Sequence, residues 1–368
     1  MNSPAPRTTH PETCLPAQAV ATLRSAAADA ERAGRLHPAQ WRLIHDERWL
    51  RIALPPALGG HGLSLPALLR LEEALAWADG SSGWVVTLCA GAAWFAGFLD
   101  PALAARVFAD AHACIAGSGA AGGEAEATAG GWRVRGRWRH ASGIEQATAV
   151  TANCRVVRDG LPVHDADGQP VIRAILLEPG EYRIEREWHA MGMVATGSHA
   201  FALDDALVPA ARSFAIDAAA AVRDEPLYRV PFAQFAALTL SVNLAGLTLR
   251  FLDLCASSLA ARDAGTGAKL SAACEAFEQR RARLYASAEA LWQACGAGRA
   301  PPAQLIAEAD LASDALVRLA RGLFAELYPH VGLRGADTRS ALNRVWRDFH
   351  TASQHALFTR EVTSVAGA

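Results

Sequence analysis

The sequence predicts a mostly α-helical protein with a small central β module, a barrel or sandwich, set between two helical modules. Three observations carry this expectation. From Trp132 to Trp138 the chain alternates, with Trp132, Val134, Gly136 and Trp138 on one side and Arg133, Arg135 and Arg137 on the other. A period of two over that length marks a half-buried strand. Composition changes at Cys114, after which glycines cluster at 117, 119, 122, 123, 130 and 131 and the elements become short and alternating. From Pro231 onward long helical stretches return with short connections, as in an antiparallel four-helix bundle.

In chain order, residues 1–14 carry Pro4, Pro6 and Pro11, contain no apolar leader core, and read as a disordered tail. Leu15 to Arg32 and Pro38 to Glu47 read as helices, the second opening on proline at its first turn. Leu65 to Ala78 is amphipathic, with Leu68, Leu71, Leu75 and Ala78 on one face. Trp84 to Phe98 is apolar nearly all round and is expected to be buried. Asp100-Pro101 caps and starts a helix running to Asp110. Strands are expected at 132–138, 147–157, 171–177, 182–186 and 199–207, with Asp159-Gly160, Asp167-Gly168 and Pro179-Gly180 in the turns. The C-terminal helices are expected over 231–261, 268–295, 302–328 and 338–360. The implied division is a tail (1–14), a helical domain (15–113), a β domain (114–215) and a bundle (216–368).

The 368 residues suffice for two or three such units, and 51% are hydrophobic. A net charge of −2 offers no basic field for nucleic acid or anionic membrane. Seven cysteines stand singly with no C-x-x-C pair, which suggests reduced thiols in a cytoplasm and no metal site. The most apolar run, Phe232 to Leu254, contains Gln234, Asn243, Arg250 and Asp253, as a buried helix of a soluble protein would.

Four stretches are candidates for chemistry. Ser142-Gly143 ends the alternating strand, where a small hydroxyl residue beside glycine can approach a flat ligand. Gly117-Ser118-Gly119-Ala120-Ala121-Gly122 matches G-x-G-x-x-G, but Gly130-Gly131 follows too soon for a dinucleotide-fold helix, leaving a ligand-touching loop or a plain connector. Trp188 opens a glycine-spaced apolar segment to Ser198, either a core tryptophan or one stacked on an aromatic cofactor. On a continuous last helix, His350 and His355 would lie about 140° apart, so only one could serve a given site as acid or base.

Together these stretches resemble the acyl-CoA dehydrogenase superfamily, and more closely its flavin-dependent (group D, two-component) monooxygenase branch. Four segments carry the resemblance in order: Gly83–Val86, Gly130–Gly143, Gly192–Pro209 and Leu342–His355. It spans roughly Leu36 to Arg360 and implies a helical N-domain, a central β-barrel and a C-terminal four-helix bundle, assembled as a homotetramer. It implies reduced FMN or FAD supplied by a separate flavin reductase. Oxygen would then reach a small apolar substrate through a C4a-(hydro)peroxyflavin. By the resemblance, Ser142 and His355 are the catalytic residues. Gly117, Ser118, Ser142, Gly143, Trp188 and Arg347 bind cofactor, with Ser142 near flavin N5 and His355 over the ring.

Two positions depart from the family pattern. Gly91-Ala92-Ala93 leaves no histidine where the aromatic hydroxylases hold a phenolate, and Arg280, Arg281 and Arg283 lie off the register of the flavin-phosphate arginine. An acyl-CoA dehydrogenase, with a carboxylate as base, and a non-catalytic flavin-binding or scaffold homologue are the alternatives.

Overall fold

A computed structural model describes residues 9–259 and 264–359. The N-terminal helices are α1 (Ala17–Ala33), α2 (Pro38–Asp46), α3 (Leu65–Ala78), α4 (Gly80–Ala93) and α5 (Pro101–Phe108). Side chains start four of them as the local sequence requires, His37 and Gln40 forming a capping box at α2. Ser64 caps α3, Asp79 caps α4 through the Ser82 amide, and Asp100 accepts from the Ala102 and Leu103 amides at α5. Residues 9–14 depart from the expected disordered tail. Pro11–Thr13 forms a 3-10 turn, the Thr9 carbonyl accepts from Arg281 Nη2 at 2.7 Å, and His10 packs edge-on against Trp77.

The β region is one sheet: β1 (Ile115–Thr128), β2 (Gly131–Ala141), β3 (Ala149–Arg158), β4 (Leu161–Pro162), β5 (Ile172–Leu177), β6 (Arg183–Glu185), β7 (His199–Pro209) and β8 (Ser213–Phe214). Its order is β6-β7-β2-β1-β3-β5-β8, with β4 on β3, and β1 runs parallel to β3. Of the expected barrel or sandwich, a closed barrel is not seen: among the described residues the sheet stays open, with β6 and β8 at opposite edges. The alternation of β2 holds: Val134 and Trp138 are buried, while Arg133, Arg135 and Arg137 form ion pairs on the outer face.

The glycine-rich stretch is no loop. It lies within β1, and its glycines make room for an indole. A Cβ at Gly123 would stand 2.2 Å from the Trp138 ring. That ring stacks on Phe201 at 5.0 Å, and its Nε1 donates to the Asn153 carbonyl at 2.8 Å.

The C-terminal helices are α6 (Phe232–Leu259), α7 (Ala264–Gly296), α8 (Ala303–Leu327), the short α9 (Leu333–Ala336) and α10 (Ala341–Ala352). Helix α6 is long and apolar enough to cross a membrane, yet 83% of its apolar window is buried inside the protein. It packs against α3 and α4 as well as α7, α8 and α10. In place of the expected four-helix bundle stands a helical region that shares one core with the N-terminal helices. Gly246 makes the crossing possible, because a Cβ there would lie 2.2 Å from the Glu73 carbonyl of α3.

Candidate active site

The last helix stops earlier than its sequence pattern implies. Helix α10 ends at Ala352, and His355 begins a 3-10 turn over Ala356–Phe358, its Nδ1 accepting from the Leu357 amide at 3.3 Å. Angles counted along a continuous helix therefore do not describe His355. Its ring faces Trp84 of α4 at 6.1 Å, while His350 packs among Trp346, Phe324 and Phe349. Position 360, the end of the expected helix, lies outside the described residues.

Ser142 is buried just beyond β2. Its Oγ shares a 2.8 Å hydrogen bond with Ser198 Oγ, which in turn shares one of 2.6 Å with Thr196 Oγ1. Thr196 donates to the Met193 carbonyl at 2.7 Å, and Trp188 Nε1 donates to the same oxygen at 2.9 Å. Ser142 and Trp188, distant in sequence, thus meet through Met193. Thr196 and Ser198 complete the link: both lie in the Gly192–Pro209 segment, but neither was singled out, because the contact that joins them to Ser142 spans 56 residues. Gly143, at φ +72°, turns the chain and donates its amide to the Thr196 carbonyl at 2.9 Å. A Cβ there would press on Cys89 Sγ and Val85. Helix α4 consequently meets the strand end through Val85 and Cys89 and meets His355 through Trp84.

Gly117 and Ser118 lie on β1, paired with Thr151 and Ala152 of β3. A Cβ at 117 would fall 2.2 Å from Thr151 Oγ1, and Ser118 Oγ accepts from the Ala120 amide at 3.4 Å. No hydrogen bond joins either residue to the Ser142 chain among the described residues. Arg347 pairs with Glu31 and donates to the Met191 carbonyl at 2.6 Å and to Asn343 Oδ1 at 2.7 Å. Of the arginines considered for phosphate, Arg281 is buried on Glu73, while Arg280 and Arg283 are exposed on α7.

Asp348 is buried and accepts from the Met193 amide at 2.5 Å. Burial pushes its carboxyl up to about 7, against the pull of that amide, with Asp79 and Glu31 adding to the rise and Arg347 opposing it. A separate cleft of about 500 Å³, lined by His45, Arg48, Phe108, His112 and others, includes none of these residues.

Likenesses to known proteins extend over most of the chain. The family described as "Acyl-CoA dehydrogenase, C-terminal domain" matches residues 236–360. The indole-3-acetate monooxygenase of Pseudomonas putida is 28% identical over 329 residues, covering 85% of this chain and 81% of that protein. The oxygenase component of the FADH(2)-dependent resorcinol hydroxylase of a Rhizobium species is 32% identical over 212 residues, 56% of this chain and 50% of that one. Among solved structures, XiaF from a Streptomyces species, in complex with FADH2 and glycerol, superposes with a TM-score of 0.82 at 24% identity, covering 93% of this chain and 89% of that chain. By these likenesses the chain is similar to the acyl-CoA dehydrogenase superfamily. Within it, its relatives are flavin-dependent monooxygenases, the branch that the four sequence segments resemble.

Proposed function

We propose that the chain is the oxygenase component of a two-component flavin-dependent monooxygenase. It takes reduced FMN or FAD from a separate reductase, and O2, to oxygenate a small apolar substrate. The carrying observation is the donor set at the strand end. Thr196 and the Trp188 indole meet on the Met193 carbonyl, Ser198 and Ser142 continue the chain from Thr196, and the nearby carboxyl of Asp348 is taken up by the Met193 amide. Neutral hydroxyls beside a half-buried indole fit a flat, neutral heteroaromatic ring system such as that of a flavin.

A bound reduced flavin would supply the two electrons that activate O2, of which one atom goes to the substrate and the other leaves as water. The protein's part is to bind, orient and manage protons. Ser142 Oγ holds the ring edge, Trp188 packs on the ring, and Gly117, Ser118 and Gly143 allow close approach of the main chain. Arg347 acts indirectly, by holding Met191. In neutral His355, the Nδ1 that accepts from Leu357 leaves the proton on Nε2, the atom from which it is donated at the site. Trp84 shields that ring from water on one side. Asp348 is poorly suited to be a dehydrogenase base, because it is buried on the Met193 amide. A cytoplasmic homotetramer, and domain limits near 113 and 215, belong to the same reading and are supported by the family resemblance.

The test supplies photoreduced FMN or FAD and ¹⁸O2 to the purified protein with indole-3-acetate or resorcinol, the compounds named for its relatives, and with other small apolar aromatics. Product carrying one ¹⁸O atom is expected. No labelled product, together with anaerobic bleaching of bound FAD by an acyl-CoA, would overturn the reading in favour of dehydrogenation.

A further inference from the structure

Three consecutive residues of the site loop are each bonded to α10. Arg347 donates to the Met191 carbonyl at 2.6 Å, the Gly192 amide donates to Thr351 Oγ1 at 3.0 Å, and the Met193 amide donates to Asp348 at 2.5 Å. The loop presses against the helix so closely that a Cβ on Gly192 would lie 2.1 Å from the Arg347 carbonyl. Met193 itself has φ +52°, a left-handed conformation that a side-chain-bearing residue adopts at a cost and keeps only when its surroundings hold it. Its peptide groups face two ways: the amide towards α10 and the carbonyl towards Trp188 and Thr196.

We propose that Asp348 is a positioning residue for the reaction. By fixing the Met193 amide it aims the Met193 carbonyl, and so sets both the Trp188 ring and the Thr196–Ser198–Ser142 hydroxyl chain. The role is distinct from that of a base, since Asp348 is separated from the Ser142 hydroxyl by a peptide and two further hydroxyls. It rests on the proposed flavin site only for its effect on cofactor binding. The anchoring itself is a property of the protein alone.

The experiment compares wild type, Asp348→Ala and Asp348→Asn. Amide hydrogen exchange is followed by mass spectrometry, and photoreduced FMN and FAD are titrated anaerobically by the quenching of protein fluorescence. Asp348→Ala should speed exchange across residues 193–198 by about tenfold, the equivalent of one lost hydrogen bond, and weaken flavin binding by a similar factor. Exchange in α3 and α6 should stay unchanged. Asparagine keeps an oxygen acceptor and should restore both readings to within about threefold. A merely structural role would instead speed exchange throughout. That result, or an alanine variant with loop exchange and flavin affinity like wild type, would overturn the proposal. If alanine prevents folding, Thr351→Val removes the neighbouring tie to Gly192 and should loosen the same segment. Failure of wild type itself to bind either flavin would instead count against the proposed function, while the exchange results would still decide the anchoring.

Discussion

Arg281 of α7 clasps the buried Glu73 of α3 at two points, Nε to Oε1 at 2.7 Å and Nη2 to Oε2 at 2.6 Å, and Tyr285 adds its hydroxyl at 3.0 Å. This buried pair ties the N-terminal helices to the C-terminal ones. Glu73→Ala removes the carboxylate and leaves the guanidinium with Glu278 and the Thr9 carbonyl. A loss of about 3 kcal/mol is expected in denaturant unfolding, near the low end for breaking a buried pair. Because Arg281 is spent on structure, the folded fraction should bind flavin with wild-type affinity. Arg281→Ala tests the arginine directly, and a selective loss of FMN or FAD binding in its folded fraction would instead make Arg281 a cofactor residue.

Ser142→Ala removes the last hydroxyl of the chain and leaves Ser198 Oγ with one partner fewer. A stability cost of about 1 kcal/mol is expected in thermal unfolding, together with a product yield reduced roughly tenfold or more. Full product yield from a folded variant would remove Ser142 from the site.

His355→Ala should keep flavin affinity within about threefold and lower product formation by about 100-fold, the scale of a lost proton-transfer group. Single-turnover product analysis with stoichiometric reduced flavin reads this directly. Unchanged turnover would assign the residue to packing against Trp84 alone.

The Asp348 carboxyl, pushed from 3.8 to about 7 by burial, links folding to pH. Between about pH 4 and pH 7 the folded protein holds a proton that the unfolded chain has released, so this group's contribution to stability falls as pH rises through that window. Asp348→Asn removes the titration. The difference in Tm, variant minus wild type, should therefore grow from pH 5 to pH 8. A difference that stays flat would show that the carboxyl does not titrate there. Asp79, Glu31 and Arg347 are the charged neighbours that set the midpoint.

Much of the fold is legible in the sequence because its signals are local. The period of two in β2 and the apolar spacing of α3 each follow from side-chain direction along one element. The strand character of β1 was hidden because glycine has little preference for strands, and these glycines answer to Trp138 on the neighbouring strand. Closure of the sheet is decided by β6 and β8, three and two residues long, too short to show a period. The end of α10 carries neither glycine nor proline to announce it. Two arginine contacts help fix the segment that follows, Arg321 donating to the carbonyls of Ser353 and Phe358. At the site, Ser142 and Trp188 could be singled out by their neighbours in sequence, whereas Ser198 and Asp348 gain their roles from contacts made across the fold, and Thr196 from its place between Met193 and Ser198.

The hydroxyl chain also has a direction. The Met193 carbonyl has no proton to give, so the 2.7 Å contact with Thr196 commits the threonine proton to it. Ser198 must then donate to Thr196, and Ser142 to Ser198. Ser142 is left with lone pairs alone, and towards a ligand it can only receive a hydrogen bond. A ring edge bearing an N–H is welcome at that oxygen, and one presenting a bare nitrogen is not. Reduction of a flavin adds such an N–H, so the order of three protons inside the protein would let the site tell the two redox forms of one molecule apart.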